Sequence, residues 1–171
     1  MKFLFFIFFA LLILFSIRFF IKIRLRELEK KYGGKVRWHP VGPDFTSDEI
    51  ELSLYFGRSG SSTTVNVKQQ PKKHVWLELK PLNSLYLNQK SNHNSFDELY
   101  SCIVHVPKDF EILTQEIKAF IAETSMGYLS LHINQYEFFL RTTSIRIRDI
   151  ENCLQLLIMV KNRIKEYESN T

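Results

Sequence analysis

The side chains that could do chemistry are few, and their spacing organises none of the familiar sites. The five histidines are His39, His74, His93, His105 and His132. No two stand four apart on a helical pattern, and no H-E-x-x-H occurs, so a zinc-ligating pair on one helix face is not encoded. His105 and His132 fall on strand-like segments, where Asp97 or Glu137 could join them in a site. Set against that is the ordinary state of surface imidazoles, solvated or hydrogen-bonded. Asp48, Glu49 and Glu51 could pair as carboxylates, but they read better as the polar edge of a strand. Cys102 and Cys153 lie far apart, with no C-x-x-C and no metal spacing, and read as small buried apolar residues.

The stretch "GRSGSS" has the glycines and serines of a phosphate cradle. It joins two strand patterns and opens no helix, so it lacks the helix N-terminus that would attract an anion, and a hairpin turn is the better reading. There is no G-x-G-x-x-G, no Walker loop and no G-x-S-x-G. No catalytic residue, no metal ligand and no cofactor is expected from these patterns.

The elements that would position such residues begin with an apolar run. Phe3, Leu4, Phe5, Phe6, Ile7, Phe8, Phe9, Ala10, Leu11, Leu12, Ile13, Leu14, Phe15, Ser16 and Ile17 contain no charge. Counting on through Arg18, Phe19, Phe20 and Ile21 gives about 28 Å of helix at roughly 1.5 Å per residue, close to a hydrocarbon core of about 30 Å. No small-residue cleavage site follows, which disfavours a removable signal. This predicts a single transmembrane helix, with Arg18 snorkelling to the headgroups and the lipid bilayer as a partner. Lys and Arg crowd the C-terminal side of the run, which places the rest of the chain in the cytoplasm.

The charge is divided. Residues 1–37 hold 9 basic and 2 acidic side chains, a net +7, whereas residues 38–171 hold 14 and 16, a net −2. The high pI therefore belongs to the N-terminal segment. Nucleic acid is not an expected partner, since that needs a basic patch on the folded part.

The rest of the chain reads as three stretches. Residues 1–32 form the anchor and a basic helix that stops at Gly33–Gly34, residues 33–48 a linker with two prolines in "WHPVGPDFTSD", and residues 49–171 one α+β domain. Within the domain, Ile50, Leu52, Leu54 and Phe56 alternate with polar residues, and Val65 and Val67 return as a hairpin. "HVWLELK" and "ELYSCIVHV" alternate in the same way, and "SLYL" reads as a short strand. After Pro107 the period becomes helical through Phe110, Leu113, Ile117 and Ile121, with Thr114 as an internal N-cap. "YLSLHINQYEFFLR" is a second hairpin, and Asp149–Tyr167 a last amphipathic helix. About seven strands, mostly antiparallel, would pack one face on two helices.

The order "LYFGRSG…V.V", "W.EL", "FDELYSCIV", "LTQEIKAF" and "GYLSLHINQYEFFL" resembles a layout in uncharacterised bacterial proteins. Those carry one or two N-terminal membrane segments before an α+β domain without an assigned function. The resemblance covers residues 50–165 and rests on Gly57–Arg58, Phe96–Asp97 and the G-x-L-x-L at 127–131. It implies a bacterial inner-membrane placement, but no activity and no site residue.

Two classes of function fit. One is a membrane-anchored protein-interaction or scaffolding module. The other is a membrane-tethered hydrolase or ligand-binding enzyme whose residues are scattered over the strands. If the helices cover the sheet face bearing Leu52, Leu54, Leu77 and Leu79, the other face presents Tyr55, Trp76 and Glu78. His132 joins them and, with the right strand phase, Phe139 and Arg141. Tyr55, Trp76 and Phe139 would then form a surface for a protein partner, because aromatic side chains bring apolar area with few rotamers to freeze. The plainer alternative is that Trp76 is ordinary core.

Overall fold

A computed structural model describes residues 2–39, 42–57, 60–68, 71, 75–82, 96–124, 128–144 and 146–169. In chain order the elements are α1 (Lys2–Tyr32), β1 (Lys35–His39), β2 (Gly42–Thr46), β3 (Ile50–Gly57), β4 (Gly60–Val67) and β5 (Leu77–Pro81). They continue with α2 (Phe96–Leu99), β6 (Tyr100–Val104), a 3₁₀ turn at Pro107–Ile112, α3 (Gln115–Thr124), β7 (Leu129–Ile133), β8 (Phe138–Thr142) and α4 (Ile147–Ser169).

Among the described residues, eight strands form one sheet in the order β1-β2-β3-β4-β8-β7-β5-β6. Every pairing is antiparallel. The register lines up one apolar row across all eight strands: Val36, Phe45, Leu52, Val65, Leu140, Leu131, Leu79 and Cys102. Because a strand alternates its faces, the next row along belongs to the other side. That row reads Lys35, Thr46, Glu51, Asn66, Phe139, His132, Glu78 and Ile103.

The apolar face is covered by helices. Ile117 and Ile121 of α3 are buried, as are Ile150, Cys153, Leu154, Leu157, Val160 and Ile164 of α4, at the three-to-four spacing of a core-facing stripe. Thr114 caps α3, its hydroxyl accepting from the Ile117 amide at 3.3 Å. The C-terminal half of α1 joins the same core through Leu25 and Leu28, one helical turn apart, with Ile21 and Tyr32 packed beside them. The α+β class of the chain therefore stands. The last helix and both hairpins lie where the periodicity placed them, while "SLYL" falls outside the described residues.

The expected transmembrane helix is overturned. Among the described residues, no helix is long and apolar enough to cross a membrane. The uncharged run from Phe3 to Ile17 covers about 22 Å at roughly 1.5 Å per residue, short of a core of about 30 Å. Beyond it, Arg18, Lys22, Arg24 and Arg26 break the apolar run, and the helix's next turns are spent on the domain core through Leu25 and Leu28. The single-pass, bacterial inner-membrane placement, with the C-terminal part in the cytoplasm, falls with it.

The stretch read as an irregular linker carries structure as well. Residues 35–39 and 42–46 are β1 and β2, and Phe45 is wholly buried. Pro43 lies just outside the β2–β3 pairing, which runs over Asp44–Thr46, so its missing donor costs little. Pro40 lies outside the described residues. Gly34 turns α1 into β1 at φ +119°, and a Cβ there would collide with the Thr46 carbonyl. The helix is tied to the sheet again by the Val36 amide, which donates to Glu29 Oε1 at 2.7 Å.

Candidate functional site

The outer face of the sheet carries a cluster of four rings. The indole of Trp76 stacks on the imidazole of His105, with centroids 4.0 Å apart and planes 4° from parallel. His132 meets Trp76 edge-on at 6.1 Å. On its other side His132 stacks with Phe139 at 5.3 Å. Strand register explains the second half of the cluster: β7 and β8 pair His132 with Phe139, and β5 and β7 pair Glu78 with His132. Trp76 comes from just before β5 and His105 from just after β6, at the same end of a strand pair.

Polar groups ring the cluster. His132 has Glu78 Oε1 3.8 Å from Nδ1 and Glu137 Oε2 3.8 Å from Nε2. The Asn134 side-chain nitrogen lies 2.8 Å from His132 Nε2, close enough to donate to the unprotonated ring nitrogen. Glu78 also holds Lys80 at 2.7 Å. Asn134 sets the β7–β8 turn, because its side-chain oxygen accepts from the amides of Tyr136 and Glu137.

Behind Trp76 stands a buried carboxylate that no local pattern singles out. Asp109, in the 3₁₀ turn, is 1 % exposed. Its two oxygens accept from the Trp76 amide at 3.0 Å and from the Tyr167 hydroxyl at 3.1 Å. It thereby joins the strand entry of β5 to the last turn of α4. Burial, and then the hydrogen bond to this carboxylate, raise the Tyr167 phenol above its ordinary range.

The expected partner residues separate into two places. Trp76 and Phe139 share the ring cluster and are half-buried. Tyr55 is exposed on the same face, but it sits opposite Ser62, four residues along β3 from the Glu51 that belongs to the Phe139 row. At about 3.3 Å per residue that is roughly 13 Å along the strand, so Tyr55 stands apart from the rings. Of the carboxylates considered with the histidines, Glu137 reaches His132, whereas the Asp97 side chain lies outside the described residues. The Glu49 carboxylate pairs with Lys161 at 3.0 Å, and that ammonium group holds its pKa below the ordinary value. "GRSGSS" spans the turn between β3 and β4, with Arg58 and Ser59 outside the described residues.

Neither described groove converges on chemistry. One, of about 240 Å³, runs along Tyr32, Gly33, Gly34, Ser47, Asp48 and Glu49. The other, of about 260 Å³, runs between α3 and α4 and includes Glu116, Arg163 and Glu166. Among the described residues, no group of three or more His, Cys, Asp or Glu side chains could hold a metal ion. Burial raises the Cys102 thiol to about 11 and the Cys153 thiol to about 12, so neither is a ready thiolate nucleophile.

Among the described residues, the exposed large apolar side chains are most concentrated elsewhere, on α1. Phe5, Phe6, Phe8, Phe9, Phe15 and Phe19 are between 54 and 74 % exposed, and Leu11 and Leu12 accompany them. A phenylalanine carries about 150–250 Å² of surface, so these six expose roughly 700 Å². The largest apolar patch of a typical monomer is about 300–600 Å². No family model matches the chain, and no curated protein or solved structure is similar to it.

Proposed function

We propose that this chain is a protein-interaction module. The helical domain half of α1 is fixed in the core, and its phenylalanine-rich half is enclosed by an apolar groove of a protein partner. The observation that carries the reading is the contrast within one helix. Leu25 and Leu28 are 3 % exposed, while six phenylalanines nearer the N-terminus are more than half exposed. A helix that is apolar all round has no side suited to water. At about 25 cal/mol per Å², enclosing roughly 700 Å² is worth on the order of 15–20 kcal/mol before ordering costs.

The ring cluster on the sheet supports the same class of function with less area. Trp76, His132 and Phe139 are only half-buried, and aromatic side chains are enriched at the centres of protein interfaces.

A photo-reactive phenylalanine analogue at Phe8 or Phe15 of the full chain, activated in the producing cell, tests the reading. The expected result is a discrete protein adduct, identified by mass spectrometry, that disappears when Phe5 and Phe9 are changed to Ser. Adducts to lipid alone, or no adduct, overturn it.

A further inference from the structure

The two ends of the sheet are built differently. β1 is guarded. It carries Lys35, Arg37 and His39, and its Val36 amide is taken by Glu29 of α1. An antiparallel copy of β1 centred on Arg37 would set guanidinium against guanidinium. Charges on an edge strand are a usual defence against pairing with another chain.

β6, at the other end, has no such guard. Tyr-Ser-Cys-Ile-Val contains no charge. Among the described residues it pairs with β5 alone. Ile103 on its outer face is 49 % exposed, and Val106 just beyond it is 50 % exposed. A β-branched, uncharged strand that, among the described residues, is paired on one side only is a template for strand addition.

We infer that β6 is the interface for a second copy of this chain, the two strands pairing antiparallel about a two-fold axis to give one continuous sheet of sixteen strands. The second copy is favoured over a foreign strand because β6 is complementary to itself. An antiparallel pair centred on Cys102 sets Ser101 against Ile103 on the outer face and Tyr100 against Val104 on the inner. No charge is opposed, and apolar side chains meet across the axis. The two-fold axis lies perpendicular to the sheet, so both ring clusters arrive on one face. This inference stands apart from the role proposed for α1, which lies at the β1 end of the sheet.

The test is amide hydrogen exchange on the full chain at micromolar and at several hundred micromolar concentration, with Ile103→Lys and Ser101→Lys alongside. The expected result is exchange at residues 101–104 slowed about tenfold or more at the higher concentration, with both lysine variants losing the effect at unchanged melting temperature. Fast exchange at both concentrations overturns the inference. So does slow exchange that Ile103→Lys leaves intact, because the edge is then covered by the chain itself. A variant with Phe5, Phe8 and Phe15 changed to Ser keeps the two ideas distinguishable: it removes association through α1 and should leave the concentration dependence at β6 untouched.

Discussion

The indole of Trp76 lies flat against the imidazole of His105, 4.0 Å between ring centres, while its own amide donates to the buried carboxylate of Asp109. One residue thus belongs at once to the surface ring cluster and to the polar link beneath it. Trp76→Ala should separate the two roles. The amide bond to Asp109 survives the substitution, so the loss is stacking and part of the burial, about 1–3 kcal/mol in a denaturant titration. A loss above about 5 kcal/mol would mean that the indole is core, as in the plainer reading of the sequence.

Asp109→Ala should cost more than its size suggests. It leaves the Trp76 amide and the Tyr167 hydroxyl without their acceptor in a part-buried place. The expected loss is about 2–4 kcal/mol, against about 1 kcal/mol for Tyr167→Phe, which removes one bond and keeps the ring. The two changes should be non-additive in a double-mutant cycle, and simple additivity would show that they act separately.

Gly34→Ala should be destabilising and Gly33→Ala much less so. Gly33 has φ +63° and open space where a Cβ would stand, so the cost is that of a left-handed residue, about 1 kcal/mol. Gly34 adds a collision with the Thr46 carbonyl, which forces β1 away from β2, and a loss above about 2 kcal/mol is expected. Paired thermal melts decide the order.

Stability should fall in alkali. The thiol of Cys153 moves from 9.0 to about 12 and the phenol of Tyr100 from 10.0 to about 12, both mainly through burial. Between those values the unfolded chain has lost protons that the folded chain keeps, so the slope of stability against pH is negative. The contribution is complete below about pH 9 and drains away toward pH 12. Cys153→Ala should flatten that decline even if it lowers stability at pH 7. An unchanged slope in urea titrations at pH 8, 9.5 and 11 would refute the assignment.

The sequence by itself determined the period-two strands of both hairpins, the helix capped at Thr114 and the apolar stripe of α4, because those depend on side chains a few residues apart. It also put Tyr55, Trp76 and Glu78 on the face away from the core, while Phe139 depended on strand phase and joined them only through the β7–β8 register. Tertiary structure decided what needed distant partners. It made strands β1 and β2 of residues 35–39 and 42–46, because Phe45 finds a buried place beside Leu52 that no local pattern announces. It split α1 in two, since an apolar run does not reveal where a core will claim Leu25 and Leu28, and the expectation of a membrane-spanning helix failed there. It set Tyr55 roughly 13 Å along the strand from the rings, a matter of register across β3, β4 and β8. It also brought Asp109 beneath Trp76 and against Tyr167, residues 33 and 58 positions away in the chain, a contact fixed by packing between the sheet and α4.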